Sequence, residues 1–174
     1  MTQILQRVTT EYIDIEDRIR LSGEVAGGAP VVIWMTLRLL QRLLPIVVAW
    51  LERRETDNGT SSSRSRAEVM QEFSQAAAKA ELAPQPPVCA LPESEDWVAL
   101  AVDVADQGLF INMTFRAGNG RQAALSLEAK PLRQWLAILH GAYLKAGWPL
   151  DMWPRWIREG VAAAESGAKT ALLH

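Results

Sequence analysis

Residues 31 to 51, VVIWMTLRLLQRLLPIVVAWL, are apolar almost throughout, yet they carry Arg38, Gln41, Arg42 and Pro45. A run of this length could span a bilayer, which takes about 20 apolar residues. Each central arginine costs roughly 2.5 to 3.5 kcal/mol on insertion, while each Leu, Ile or Val returns about 0.3 to 0.6 kcal/mol, so two arginines cancel most of the gain. Arg38 and Arg42 also stand four apart. On a helix they share one face with Gln41, Pro45, Glu52 and Arg53, which makes a solvated stripe and not a bilayer midpoint. The first part, PVVIWM, is β-branched and aromatic and follows the turn-forming GGA, so a strand is expected near 31–36. Thr36 then caps a helix near 37–54 whose Leu39, Leu40, Leu43, Ile46, Val47 and Trp50 recur at helical spacing, with Pro45 inside it and expected to kink it. The stretch therefore predicts a strand and a buried helix of a soluble core, with no membrane span.

Upstream, YIDIEDRIRLS alternates, with Ile13, Ile15, Ile19 and Leu21 on one side and Asp14, Glu16, Arg18 and Arg20 on the other. A two-residue turn at Glu16-Asp17 would pair Ile15 with Arg18 and spoil this sidedness, which favours one long strand over 11–22 that pairs with the strand at 31. Residues 56–66, TDNGTSSSRSR, read as a mobile loop. A helix near 66–82 carries Val69, Phe73, Ala76, Ala77 and Ala80 on one side, a narrow apolar stripe suited to packing on the outside of something else. The four prolines within 83–96 mark a linker.

From Trp97 the alternation is clearest, over 97–104, 109–116 and 121–127, with DQG and GNG between the runs. This is the pattern of a three-stranded antiparallel meander with one buried face. Pro131 opens a helix near 131–146 with Leu132, Trp135, Leu136, Leu139 and Tyr143 on one stripe and Gly147 as its stop. Asp151 and Pro154 start a last helix near 152–165. The sum is an α+β chain, an antiparallel sheet or small sandwich packed with four helices, forming one domain over 1–166 with a plain tail at 167–174.

No constellation of catalytic or metal-binding residues emerges. GNG at 118–120 lacks a third glycine and joins two strands, so it is a hairpin turn and not a phosphate loop. Asp14, Glu16 and Asp17 have Arg18 and Arg20 as natural neighbours and read as surface charge. His140 sits at the edge of its helix's apolar stripe, and His174 is far away in the chain. Cys89, the sole cysteine, has no cationic neighbour to activate it and no partner for a disulfide. PQPP serves as a stiff linker sooner than as a polyproline ligand, and DNGT and NMTF match the glycosylation pattern by chance. A net charge of -2 gives nothing that would recruit a nucleic acid by bulk attraction. The start, MTQILQRVTTEYIDIED, has no apolar h-region, so a cytoplasmic location is expected. Of the seven tryptophans, Trp135, Trp148, Trp153 and Trp156 crowd together. Core packing accounts for most such clusters. A partner surface made by Trp148, Trp153 and Trp156 is the candidate site, with Trp153 inward and Trp156 at an interface.

The stretches DRIRLSGEVAGGAPVVIWMTL and LFINMTFRAGNGRQAALSLEAKPLRQWLAIL, with the element order around them, resemble the head domain shared by DNA end-joining and centriole-assembly scaffold proteins. The resemblance covers about residues 10 to 146, by element order and without a diagnostic motif. It implies a small β-sandwich gripping a helical pair, and no functional residue is carried across. Those families continue into a dimeric coiled coil, whereas Pro149 and Pro154 interrupt this chain and no heptads follow. The function expected is that of a non-enzymatic interaction or scaffold protein, binding a protein partner or a second copy as a homodimer, with no cofactor. The alternative is an enzyme or small-ligand binder whose site is assembled from residues distant in sequence.

Overall fold

The computed structural model describes residues 1–57 and 64–158, with side chains for 1–54 and 66–158. Its elements in chain order are β1 (Thr2–Ile13), β2 (Arg18–Val25), β3 (Val31–Met35), α1 (Leu37–Asp57), α2 (Arg64–Ala80), β4 (Asp96–Val98), β5 (Ala101–Gln107), β6 (Phe110–Arg116), β7 (Gln122–Glu128) and α3 (Ala129–Ala146). A 3-10 turn at Asp14–Glu16 joins the first two strands. The class is α+β, as the periodicities predict.

All seven strands form one sheet in the order β4-β3-β2-β1-β7-β6-β5. It is mixed and not purely antiparallel. β1 runs parallel to β7 and β3 parallel to β4, while the other neighbours are antiparallel. Parallel neighbours leave no local signature, because their partners come from opposite parts of the chain.

The expected long strand over 11–22 is a hairpin. Ile13 pairs with Arg18, Tyr12 with Ile19 and Glu11 with Arg20, so the turn takes four residues, not two. The longer turn removes the sidedness objection: Tyr12, Ile19 and Leu21 all face the core, and Ile15 is thrown out at the tip, 92% exposed. Asp17 closes the turn at φ 47°, and its N–H bonds the Asp14 carbonyl at 3.1 Å. Asp tolerates this left-handed geometry better than most residues. β1 also extends back to Thr2, a strand that the alternation did not reveal.

The expected strand 97–104 is split as well. β4 and β5 lie at opposite ends of the sheet, yet only Ala99 and Leu100 separate them. The Ala99 N–H bonds the Trp34 carbonyl at 2.9 Å, beside β3, and the Leu100 N–H bonds the Arg116 carbonyl at 2.8 Å, beside β6. Successive residues thus serve both ends, and the sheet has to curl until those ends meet. The break also switches the facing: Trp97 and Ala99 are buried before it, Leu100 is exposed at it, and Val102 and Val104 are the positions packed inward after it.

The inner side chains of the sheet, among them Ile19, Leu21, Ile33, Met35, Ile111, Met113, Phe115 and Leu125, pack with the apolar stripes of α1 and α3 in one cluster. α1 follows its prediction: the Thr36 hydroxyl accepts the Leu39 N–H at 3.2 Å, and Arg38, Gln41, Arg42, Pro45, Glu52 and Arg53 are exposed. Ile46 departs from it, lying exposed on a shallow cleft with Leu100 and Val102. Among the described residues no helix is long and apolar enough to cross a membrane. α3 buries Leu132, Trp135, Leu136, Leu139 and Tyr143, and Gly147 ends it at φ 65° with its N–H on the Leu144 carbonyl. The middle of the expected loop 56–66, the second half of the expected helix 152–165 and the tail 167–174 lie outside the described residues. The flanks 56–57 and 64–66 are helical, and a helical turn begins at Arg155.

Candidate interaction surface

α2 is amphipathic in the opposite sense to the usual surface helix. At about 100° per residue, Gln71, Gln75 and Ala78 lie on one side of the helix, and Val69, Phe73, Ala76 and Ala80 lie on the other. The polar set is the one turned inward. Gln71, Gln75 and Ala78 are buried, while Val69 is 60% exposed and Phe73 71% exposed, with Met70, Ala76 and Ala80 also in solvent. The stripe suited to packing on something else is thus present, but the helix meets its own domain through the opposite face.

A buried polar network holds α2 in this orientation. The Gln75 amide donates to the Arg133 backbone carbonyl at 3.0 Å, the Gln71 amide donates to the Leu51 carbonyl at 3.5 Å, and the Gln134 amide donates to the Ala78 carbonyl at 3.0 Å. Arg133, only 4% exposed, donates through its guanidinium to Gln71 Oε1 at 2.5 Å. Its cationic plane lies 5.2 Å from the centre of the Trp156 ring, whose N–H donates to Glu52 at 3.1 Å. Glutamines four apart reach both neighbouring helices with amide donors, and the Gln71 side-chain oxygen gives the buried guanidinium an acceptor that helps to offset its desolvation. Rotating α2 to bury Phe73 would strand these groups. Sequence reasoning missed Gln71, Gln75 and Arg133, although two glutamines opposite an apolar stripe were a visible signal.

Trp148, Trp153 and Trp156, expected to offer a partner surface, are all buried in their own chain. The reason is the fold-back after Gly147. Trp148 meets Tyr12 and Tyr143 edge-on, with centroids at 5.6 and 5.1 Å, and Trp153 meets Tyr143 and His140 edge-on at 5.2 and 5.0 Å. Asp17 Oδ1 accepts both the Trp148 N–H at 3.0 Å and the Tyr12 hydroxyl at 2.9 Å, tying the β1–β2 turn to the segment after α3. The cluster is core, including Trp156, which reaches Glu52 and Arg133 and not the solvent.

The remaining candidates separate cleanly. His140 is fully inside, with no hydrogen-bond partner for either ring nitrogen among the described residues. Burial, aided by the charges of Lys79 and Arg158, lowers its pKa and keeps the ring neutral. Burial also pushes the Tyr143 phenol far above its usual range. Glu16 pairs with Arg18 at 3.8 Å, and GNG forms the β6–β7 hairpin, with the Ala117 N–H on the Arg121 carbonyl. Cys89 is exposed on the proline-rich linker. Among the described residues no three His, Cys, Asp or Glu side chains gather to hold a metal.

A crevice of about 630 Å3 opens where β1 leaves β7 after Leu5 and α3 moves in beside it. Val8, Thr9, Leu82, Pro84, Leu127, Trp135 and Ile138 line it. Trp135 donates its N–H to the Thr10 hydroxyl at 3.0 Å, and Glu81, the one ionisable lining residue among the described residues, is held by Lys130. This lining offers apolar contact and no acid-base pair. No family model, no curated protein and no solved structure matches the chain.

Proposed function

We propose that the protein is a non-enzymatic interaction module whose docking surface is the outward face of α2. One observation carries this reading: a polar network buries Gln71 and Gln75 and leaves Val69, Met70 and Phe73 in water on the same helix. Holding three large apolar side chains in solvent is unfavourable by about 25 cal/mol per Å2, and contiguous apolar exposure of this kind marks interaction sites. The curled sheet with a helical pair inserted between β3 and β4 supports the further proposal of kinship with the scaffold head domains, though here the contact surface is a short helix and not a coiled-coil stalk.

A photo-reactive phenylalanine analogue at position 73 tests the docking surface in cells that express the protein. Covalent adducts with protein are expected from position 73 and not from Asp103, an exposed position on β5. Irradiation that yields no protein adduct at 73 sinks the reading. The crevice supports a second one, a small apolar ligand held by Trp135 and Leu127. Tryptophan quenching by a brominated short-chain fatty alcohol, lost in Trp135→Phe and in Leu127→Asp, is its signature.

A further inference from the structure

The outward face of α2 has an order along its length, and that order identifies what covers it. Val69, Phe73, Ala76 and Ala80 follow one another at intervals of four, three and four, the spacing of a helix-pairing seam. The large side chains occupy its first half and the alanines its second. Resting on the reading of α2 as a docking surface, we infer that the occupant is a second copy of the same chain, its α2 laid antiparallel against the first.

In that arrangement Phe73 packs over Ala76 of the second copy and Val69 over Ala80, and two-fold symmetry repeats both contacts. Each large side chain meets a small one, and the two seam alanines of each helix let the helices approach closely. On one flank Met70 faces Ala77 of the second copy, again large on small. On the other, Glu72 and Lys79 lie on the same side of the helix, seven residues apart, so each Glu72 comes beside the other copy's Lys79. A parallel pair would set Phe73 on Phe73 and alanine on alanine, overfilling one level and leaving a void at the next. The seam is short. A contact of about three turns falls well below the ~800 Å2 per partner of standard interfaces, so the dimer exchanges at micromolar concentration.

The test uses the full-length protein. Sedimentation at submillimolar concentration should give a monomer–dimer equilibrium, and Phe73→Asp should abolish the dimer without lowering the melting temperature measured in dilute solution, where the wild type is also monomeric. Glu72→Lys and Lys79→Glu should each weaken association several-fold, and the two together in one chain should restore it. In a Cys89→Ser background, oxidation of Val69→Cys mixed with Ala80→Cys should give a crosslinked pair that neither variant forms alone. A wild-type chain that remains monomeric at submillimolar concentration overturns the inference, as does self-crosslinking of Val69→Cys alone, which reports parallel pairing. A monomeric chain whose position 73 still crosslinks to another protein in cells would defeat the second copy as occupant and leave the interaction reading standing.

Discussion

Trp156 has its ring under the Arg133 guanidinium and its N–H on Glu52, so one side chain joins α1, α3 and the segment that follows α3. Trp156→Ala should cost about 3 to 5 kcal/mol and leave an unfilled, polar-lined hole, while the oligomeric state of the remaining folded protein is unchanged. Urea unfolding with sedimentation checks both halves, and loss of the proposed self-association without loss of stability would show Trp156 to be an interface residue after all. His140 gives a pH dependence. Its folded pKa is lowered, so below the ordinary value of 6.5 the unfolded chain binds the proton first. The fold should therefore lose stability as pH falls from about 6.5 through the lower folded value, by at most about 1.4 kcal/mol per unit from this one group. His140→Leu should flatten that part of the urea-midpoint profile. An unchanged slope would mean that the ring takes up its proton at the same pH in the folded and the unfolded chain.

Among the elements, β1 and β2 depend on a glycine. A Cβ on Gly23 would lie 2.6 Å from Leu5 Cδ2, at the point where the β1–β2 register shifts between Leu5 and Arg7. Gly23→Ala should cost about 1 to 3 kcal/mol, and adding Leu5→Val should recover part of it. Thermal melts of the single and double variants measure the coupling, and strictly additive losses would locate the strain elsewhere. How much of each element was legible follows from the same local physics. α1, α3, β6 and β7 each set one face against the core, and Leu43, Leu139, Met113 and Leu125 announced their period. The hairpin at 14–17 was hidden because Ile15 continued the alternation while pointing into solvent. The parallel partners of β1 and β3 were hidden because they lie far along the chain. α2 was legible as a period but not as a direction. A stripe such as Val69, Phe73 and Ala80 states which residues share a face, and only the meeting of Gln71, Gln75 and Arg133 from separate helices decides which face turns inward. The tryptophan segment misled because aromatic richness is common to cores and interfaces, and nothing in WPLDMWPRW tells that Tyr12, Asp17 and Glu52 wait on the other side.

In the molecule as a whole, the two strand groups share one sheet across the β1–β7 and β3–β4 pairings. A specific protease site inserted after residue 60 should therefore give two fragments that elute together on a sizing column and separate only in denaturant. Fragments that part under native conditions would show that those parallel pairings are too weak to join the halves. The same pairings bear on how the chain is made. Thr2 lies beside Gln122, 120 residues further on. While the polypeptide leaves the ribosome, the β1–β2 hairpin can form early, but the edge of Thr2–Leu5 stays bare until almost three-quarters of the described chain has followed. Contacts so distant in sequence slow folding, and an unpaired edge is a template for the wrong neighbour. Newly made chains should accordingly depend on chaperones that shield strand edges, and refolding at high concentration should lose more protein to aggregation than the stability of the finished fold suggests.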